Sequence, residues 1–253
     1  MGRNGAVLPT SRPALIAVAH GSRDPRSAAT MSAVVADLSV RRPDLDIRLA
    51  FLDLNAPSVE QVVDAVAAQG HTEAVVVPLL LGNAFHARVD LPGMLAAARI
   101  RHPRLHLTQA EVLGDDPRLI TALRDRILST GADPRNERTG IAVAAVGSSS
   151  AAANRHTLRI GGLVAEGTAW RTSVCFATTE PSLPQAVSLL YEQGCDRVLV
   201  APWFLAPGLL TDRLHRAGPN LLHAKTIGAH TALTDVVLDR YVTAATPALA
   251  ESA

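Results

Sequence analysis

The chain repeats itself, and that repetition narrows its possible folds more than any other feature. Pro57-Ser58 in "FLDLNAPSVEQVV" recurs as Pro181-Ser182 in "CFATTEPSLPQAV". Gly70 is matched by Gly194 and Pro78 by Pro202, all at one spacing of 124 residues. The pair Gly21-Ser22 returns as Gly147-Ser148 at a spacing of 126. Landmarks kept in register over half a chain mark two tandem copies of one structural unit. With 253 residues, 48% of them apolar, each copy has material for its own core.

Within each copy, short apolar runs alternate with helical patterns. "LIAVA" (15–19), "IRLAFL" (47–52) and "AVVVPLLL" (74–81) are continuously apolar, as strands buried on both faces of a parallel sheet must be. Ser58 is placed to cap a helix carrying Val59, Val62, Val63 and Val66 on one face and ending at Gly70. Asp115 to Ser129 predicts another, with Leu119, Leu123 and Ile127 spaced by four. The expected fold is α/β: two tandem similar lobes, each a parallel sheet flanked by helices, with a cleft between them. The expected divisions are a flexible lead-in at 1–12, an N-terminal lobe at 13–130, a polar linker at 131–140 and a C-terminal lobe at 141–253.

Composition excludes several functions. Twenty-four basic residues against 23 acidic ones leave no charge excess to attract nucleic acid or a membrane surface, and 3% aromatic residues give few stacking platforms. The longest nearly apolar stretch, 74–82, is far shorter than the ~20 residues of a spanning helix. Cys175 and Cys195 form no CxxC pair and read as reduced thiols of a cytoplasmic protein. No GxGxxG, P-loop or GxSxG element is present, so neither a nucleotide nor an organic cofactor is expected.

Chemistry concentrates where the strands of the first copy end. "AVAHGSR" breaks off its apolar run at His20, Asp53 follows the second strand, and His86 follows the third. Imidazole and carboxylate suit a divalent ion such as iron, cobalt or zinc, and strand carboxyl ends are where open α/β sheets bind ligands. At the repeat spacings these positions become Val146, Ala177 and Leu210. The scaffold is kept and the three ligand candidates vanish together, as expected of one site needed once per molecule. His71, His102, His106, His156, His215, His223 and His230 show no ligand spacing and read as surface residues. Ser22 and Ser148 follow glycines at strand-to-helix turns, where hydroxyls and backbone N–H groups can hold an anion or simply cap a helix.

"AVAHGSRDPRS", "FLDLNAPS" and "VVVPLLLGNAFHARVDLP" resemble the signature segments of the sirohydrochlorin chelatases, and "VAPWFLAPGLLTDRL" resembles the matching segment of their two-lobed members. Asp53 departs from the pattern, standing where many members carry Glu. The resemblance implies a bilobal protein that inserts Fe²⁺ or Co²⁺ into sirohydrochlorin without ATP, on the route to sirohaem or cobalamin. The metal is then a substrate, the partner is the tetrapyrrole alone, and the doubled chain is expected to be a monomer.

By position, the resemblance makes His20 and His86 the catalytic, metal-handling histidines and Asp53 their acidic partner, with ligation and proton removal not divided between the two rings. Neutral imidazole can hold a metal or accept a pyrrole proton at cellular pH. Sirohydrochlorin is a polycarboxylate, so Arg23, Arg26, Arg88, Arg155 and Arg213 are candidate carboxylate contacts alongside Ser22 and Ser148. Val146 and Leu210, with Trp203 and Phe204 nearby, are expected to wall the macrocycle. Two rival readings share the two-lobed pattern: a non-catalytic tetrapyrrole or metal carrier, and a periplasmic-type binding protein, for which no export signal is seen. The residues accept iron or cobalt alike; iron is expected on the general need for sirohaem in sulfite and nitrite reduction.

Overall fold

The computed structural model describes residues 12–82 and 89–251, with side chains to residue 246. Two four-stranded parallel sheets carry the chain. The first contains β1 (Ala14–Ala19), β2 (Ile47–Phe51), β3 (Glu73–Pro78) and β4 (His106–Gln109) in the order β2-β1-β3-β4. The second repeats it with β5 (Thr139–Ala145), β6 (Arg171–Phe176), β7 (Arg197–Pro202) and β8 (Leu222–His223) in the order β6-β5-β7-β8. The helices are α1 (Pro25–Arg41), α2 (Val59–Ala68), α3 (Leu91–Arg101), α4 (Pro117–Leu128), α5 (Ala151–Ala165), α6 (Leu183–Glu192), α7 (Leu209–Ala217) and α8 (Thr231–Glu251). The α/β expectation and the doubling both hold.

Each central strand explains its continuous apolar sequence. All six residues of β1 are buried: Leu15, Ala17 and Ala19 enter one core, and Ala14, Ile16 and Val18 enter another on the opposite face. In β5, Ile141, Val143 and Ala145 join the first of these cores, while Ala142 and Ala144 enter a third. The inner faces of both sheets therefore share one core, filled by α1, α4, α5 and α8, and each outer face has its own. The helix predicted after Ser58 forms with a capping box: Ser58 Oγ accepts from Gln61 N at 3.2 Å, and Gln61 Oε1 accepts from Ser58 N at 2.9 Å.

The last helix of each half is exchanged. α4 follows β4 in sequence yet packs against β7 and α5, and α8 packs against β3, β4 and α1. Two arginines mark the exchange. Arg126 of α4 donates to the carbonyl of Ile227 (2.7 Å from Nη2), and Arg240 of α8 donates to Val112 (3.1 Å) and Leu113 (3.3 Å). Arg126 and Arg240, like Leu113 and Ile227, or Gly114 and Gly228, lie 114 residues apart, so the repeat continues here at a different spacing.

The 131–140 stretch is tied to the second half. Trp170 Nε1 donates to the Asp133 carbonyl at 2.8 Å, Ala169 N to Pro134 O at 2.7 Å, and Thr139-Gly140 already belong to β5. The 1–12 lead-in lies outside the described residues except for Arg12, which bonds Asp44 at 2.6 Å.

Candidate active site

Backbone pairing brings the first two candidates together. Parallel pairing of β1 and β2 aligns Ala19 with Phe51, and the ladder runs on past both strands: Leu52 N donates to Ala19 O at 2.9 Å and Asp53 N to His20 O at 3.1 Å. His20 and Asp53 thus sit side by side at the carboxyl edge, both exposed. Gly21 permits the corner, with φ +96° and the Asp53 carbonyl lying where a side chain would begin. His20 Nδ1 donates to the Gly21 carbonyl at 3.2 Å, so the neutral ring carries its lone pair on Nε2. The Asp53 carboxylate accepts from the backbone N–H of the next residue, Leu54, at 2.7 Å, which holds the side chain at the rim.

His86 and Arg88 lie outside the described residues, and among the described residues no three His, Cys, Asp or Glu side chains converge on a metal position. The placement of the other candidates is mixed. Ser22 N donates to Asn55 Oδ1 at 2.7 Å and Ser22 Oγ accepts from Asp24 N at 3.1 Å; Ser148 repeats both bonds with Asn154 and Ser150. Arg23, Arg155 and Arg213 are exposed and form no ion pair among the described residues. Arg26 is engaged by two carboxylates, Asp24 at 2.5 Å and Asp212 of α7 at 2.6 Å. It holds the Asp24 carboxyl below the usual range by hydrogen bonding.

The second half shows what replaced the ligands, and it corrects two correspondences. Thr178 N donates to Val146 O at 3.0 Å as Asp53 N does to His20 O, so the counterpart of Asp53 is Thr178, not Ala177. The Thr178 hydroxyl turns back onto the Val146 carbonyl at 2.8 Å. Leu210 does not correspond to His86: it lies in the first turn of α7, which begins seven residues after Pro202, whereas α3 begins thirteen after Pro78. The longer connection of the first half is the one that carries His86.

The expected apolar wall also changes membership. Trp203 (5% exposed) and Phe204 (8%) are core residues, and Leu210 is half-buried against the outer core. Val146 is exposed as expected; Leu54, just past β2, and Leu209, which opens α7, are further exposed apolar residues that sequence reading did not single out. The signal was available: each directly adjoins a residue singled out for the site, Asp53 or Leu210. Among the remaining histidines, His215 and His223 stack at 3.9 Å, His215 donating to Thr211 O and His223 to Gly218 O. His71 and His102 pair with Asp46 and Asp64.

The family model described as CbiX matches residues 14–130 and again 140–244. The chain belongs to the CbiX family. The resemblance first carried by "AVAHGSR" and its companion segments is thus membership in the sirohydrochlorin chelatases. A sirohydrochlorin ferrochelatase of Priestia megaterium is 29% identical over 236 residues, covering 88% of this chain and 87% of its own. A sirohydrochlorin cobaltochelatase of the same organism is 26% identical over 205 residues, covering 78% of this chain and 65% of its own. The solved structure of SirB from Bacillus subtilis with Fe³⁺ superposes with a TM-score of 0.79 at 24% identity, covering 94% of this chain and 98% of that one. That likeness shows the same fold over 94% of the chain.

Proposed function

We propose that this CbiX-family chain is a sirohydrochlorin chelatase that inserts a divalent metal ion into the tetrapyrrole without ATP. The observation that carries the proposal is the single-sided site within a doubled fold: His20 and Asp53 adjoin at the strand ends of one half, while Val146 and Thr178 occupy the equivalent places in the other. In the reaction, M²⁺ enters the ring as two pyrrole N–H protons leave, so the charge carried in is balanced by the protons carried out. His20 Nε2, with His86 beside it in role, holds the incoming ion or accepts a proton, and Asp53 offsets positive charge. The ion must also be released into the ring, which suits an open His/Asp set better than a closed thiolate cage.

Iron is the metal we favour; the ferrochelatase relative matches more of this chain than the cobaltochelatase does. Arg23, Arg26, Arg88, Arg155 and Arg213, with Ser22 and Ser148, are assigned to the substrate carboxylates, and Val146, Leu54, Leu209 and Leu210 to the apolar ring. We take the protein to act as a monomer, because its halves supply each other's core helices, and in the cytoplasm, in keeping with its two buried, unbridged cysteines.

Anaerobic visible spectroscopy of sirohydrochlorin with Fe²⁺ or Co²⁺ tests the assignment. The protein should metallate the ring faster than the uncatalysed reaction, with Fe²⁺ ahead of Co²⁺, and the His20→Ala/His86→Ala variant should fall to background. Equal rates with and without protein, together with tight retention of the tetrapyrrole, would make the protein a carrier instead.

A further inference from the structure

The seam between the halves passes beside the His20 corner, and a charge cluster bridges it there. Arg26 stands in the first turn of α1, just past the His20-Gly21-Ser22 corner. Asp24, the N-cap of α1, grips one edge of the guanidinium through Nε (3.0 Å to Oδ1) and Nη2 (2.5 Å to Oδ2) and is itself only 7% exposed. From the other half, Asp212 in the first turn of α7 reaches the same Nη2 at 2.6 Å.

The two carboxylates differ in kind. Asp24 is buried, bidentate and tied to the backbone of its own helix, accepting from Arg26 N at 3.0 Å. It sets the plane of the guanidinium. Asp212 is 42% exposed, makes one side-chain hydrogen bond among the described residues and belongs to another element, and ion pairs of that sort add little net stability in water. Nη1 has no partner among the described residues, and half of the Arg26 side chain faces solvent. With Asp212 rotated away, Nη1 and Nη2 would present the two-pronged end that a carboxylate binds best.

We propose that Asp212 is a gate on a carboxylate receptor: it occupies Arg26 from across the seam until a carboxylate of the incoming tetrapyrrole displaces it. The inference rests on the sirohydrochlorin reading above. Only a side chain has to move. Gly208, the N-cap of α7, lies beside the start of α1: a Cβ added there would stand at ordinary contact distance, 3.8 Å, from Asp24 Cβ and Ser22 Oγ. A ligand with one carboxylate merely exchanges one ion pair for another at Arg26. A polycarboxylate already held by other groups profits from the exchange, so the gate selects for it.

The sign of the effect separates a gate from a structural brace. Binding of metal-free sirohydrochlorin, followed by its visible band under anaerobic conditions at low ionic strength, is compared for wild type, Asp212→Asn, Arg26→Gln and the double variant. Asp212→Asn should bind about threefold tighter and lower KM without raising kcat, Asp212→Glu should return to the wild-type value, and Arg26→Gln should bind more weakly. The double variant should bind no tighter than Arg26→Gln alone. Unchanged or weaker binding by Asp212→Asn overturns the gate, as does tightening that persists without Arg26. Absence of binding by the wild type would instead defeat the sirohydrochlorin reading itself.

Discussion

Gly21 lies against Asp53 so closely that a Cβ on the glycine would stand 1.8 Å from the Asp53 carbonyl oxygen and 2.9 Å from its carbon. The approach is what lets the His20 corner and the Asp53 loop share one rim, and the pattern recurs at Gly147, where a Cβ would meet Thr178 Oγ1 at 2.8 Å and Thr179 Cγ2 at 2.9 Å.

Gly21→Ala must therefore push a backbone aside as well as adopt φ +96°. We expect a loss of at least ~2 kcal/mol in denaturant unfolding and, because the two site residues are misplaced, a fall of about a hundredfold in metallation rate. Gly70→Ala is the control. Its φ is +85° but nothing lies within 4 Å of the added carbon, so only the backbone penalty of ~1–2 kcal/mol applies. Its metallation rate should be unchanged.

Asp53 has two separable duties. Asp53→Asn keeps an acceptor for Leu54 N and should leave stability within ~0.5 kcal/mol of wild type. It removes the charge, so KM for the metal ion should rise at least about tenfold. Metal-dependence of the initial rate measures the second effect and chemical unfolding the first; an unaltered KM would remove Asp53 from the ligand set.

The exchanged helices predict one unfolding transition for both halves. Leu123 of α4 is fully buried in the shared core, and Leu123→Ala should cost about 3 kcal/mol. Trp170 and Trp203, the two tryptophans, both lie in the second half, whereas circular dichroism reports on all the helices. The two signals should coincide in wild type and shift together in the variant; separate midpoints would show halves that fold independently.

Acid stability should carry the mark of Asp116. Arg118, bonded at 2.9 and 2.8 Å, holds its carboxyl below the usual range, and Arg240 adds a contact from α8 at 3.3 Å. A carboxylate lowered in the folded state contributes stability that is full above its unfolded value of ~3.9 and fades as pH falls through the lowered one. Asp116→Asn keeps an acceptor for the cap bond from Arg118 N but not the charge, so it should be ~1–2 kcal/mol less stable at pH 7. That gap should narrow below about pH 4. Asp44, held down to about 2 by Arg42, and the lowered carboxyls of Asp24 and Asp64 leave an acid dependence common to both proteins.

The sheet was legible because buried parallel strands leave a continuous apolar record, as β1 and β3 do, and because Ser58 and Gly70 punctuate α2 by local chemistry. What depends on the third dimension was not. A constant spacing paired Asp53 with Ala177, but the loop before Pro57 is one residue longer than the loop before Pro181, so the ladder pairs it with Thr178. The same constant spacing put Leu210 opposite His86 across two connections of unequal length. Trp203 and Phe204 looked like site walls because they follow a strand end, yet β7 delivers them inward to two different cores. The Arg26–Asp212 pair joins residues 186 positions apart and leaves no local pattern to read.

The exchange of α4 and α8 makes the polypeptide a single knot of dependence even though its sequence is written twice. Severed between Thr130 and Asn136, it would yield two fragments, each bearing a sheet whose inner face has lost one covering helix and a helix that packs on the other. Mixed in equal amounts the fragments are complementary pieces, and their reassembly would close the shared inner core from both sides at once.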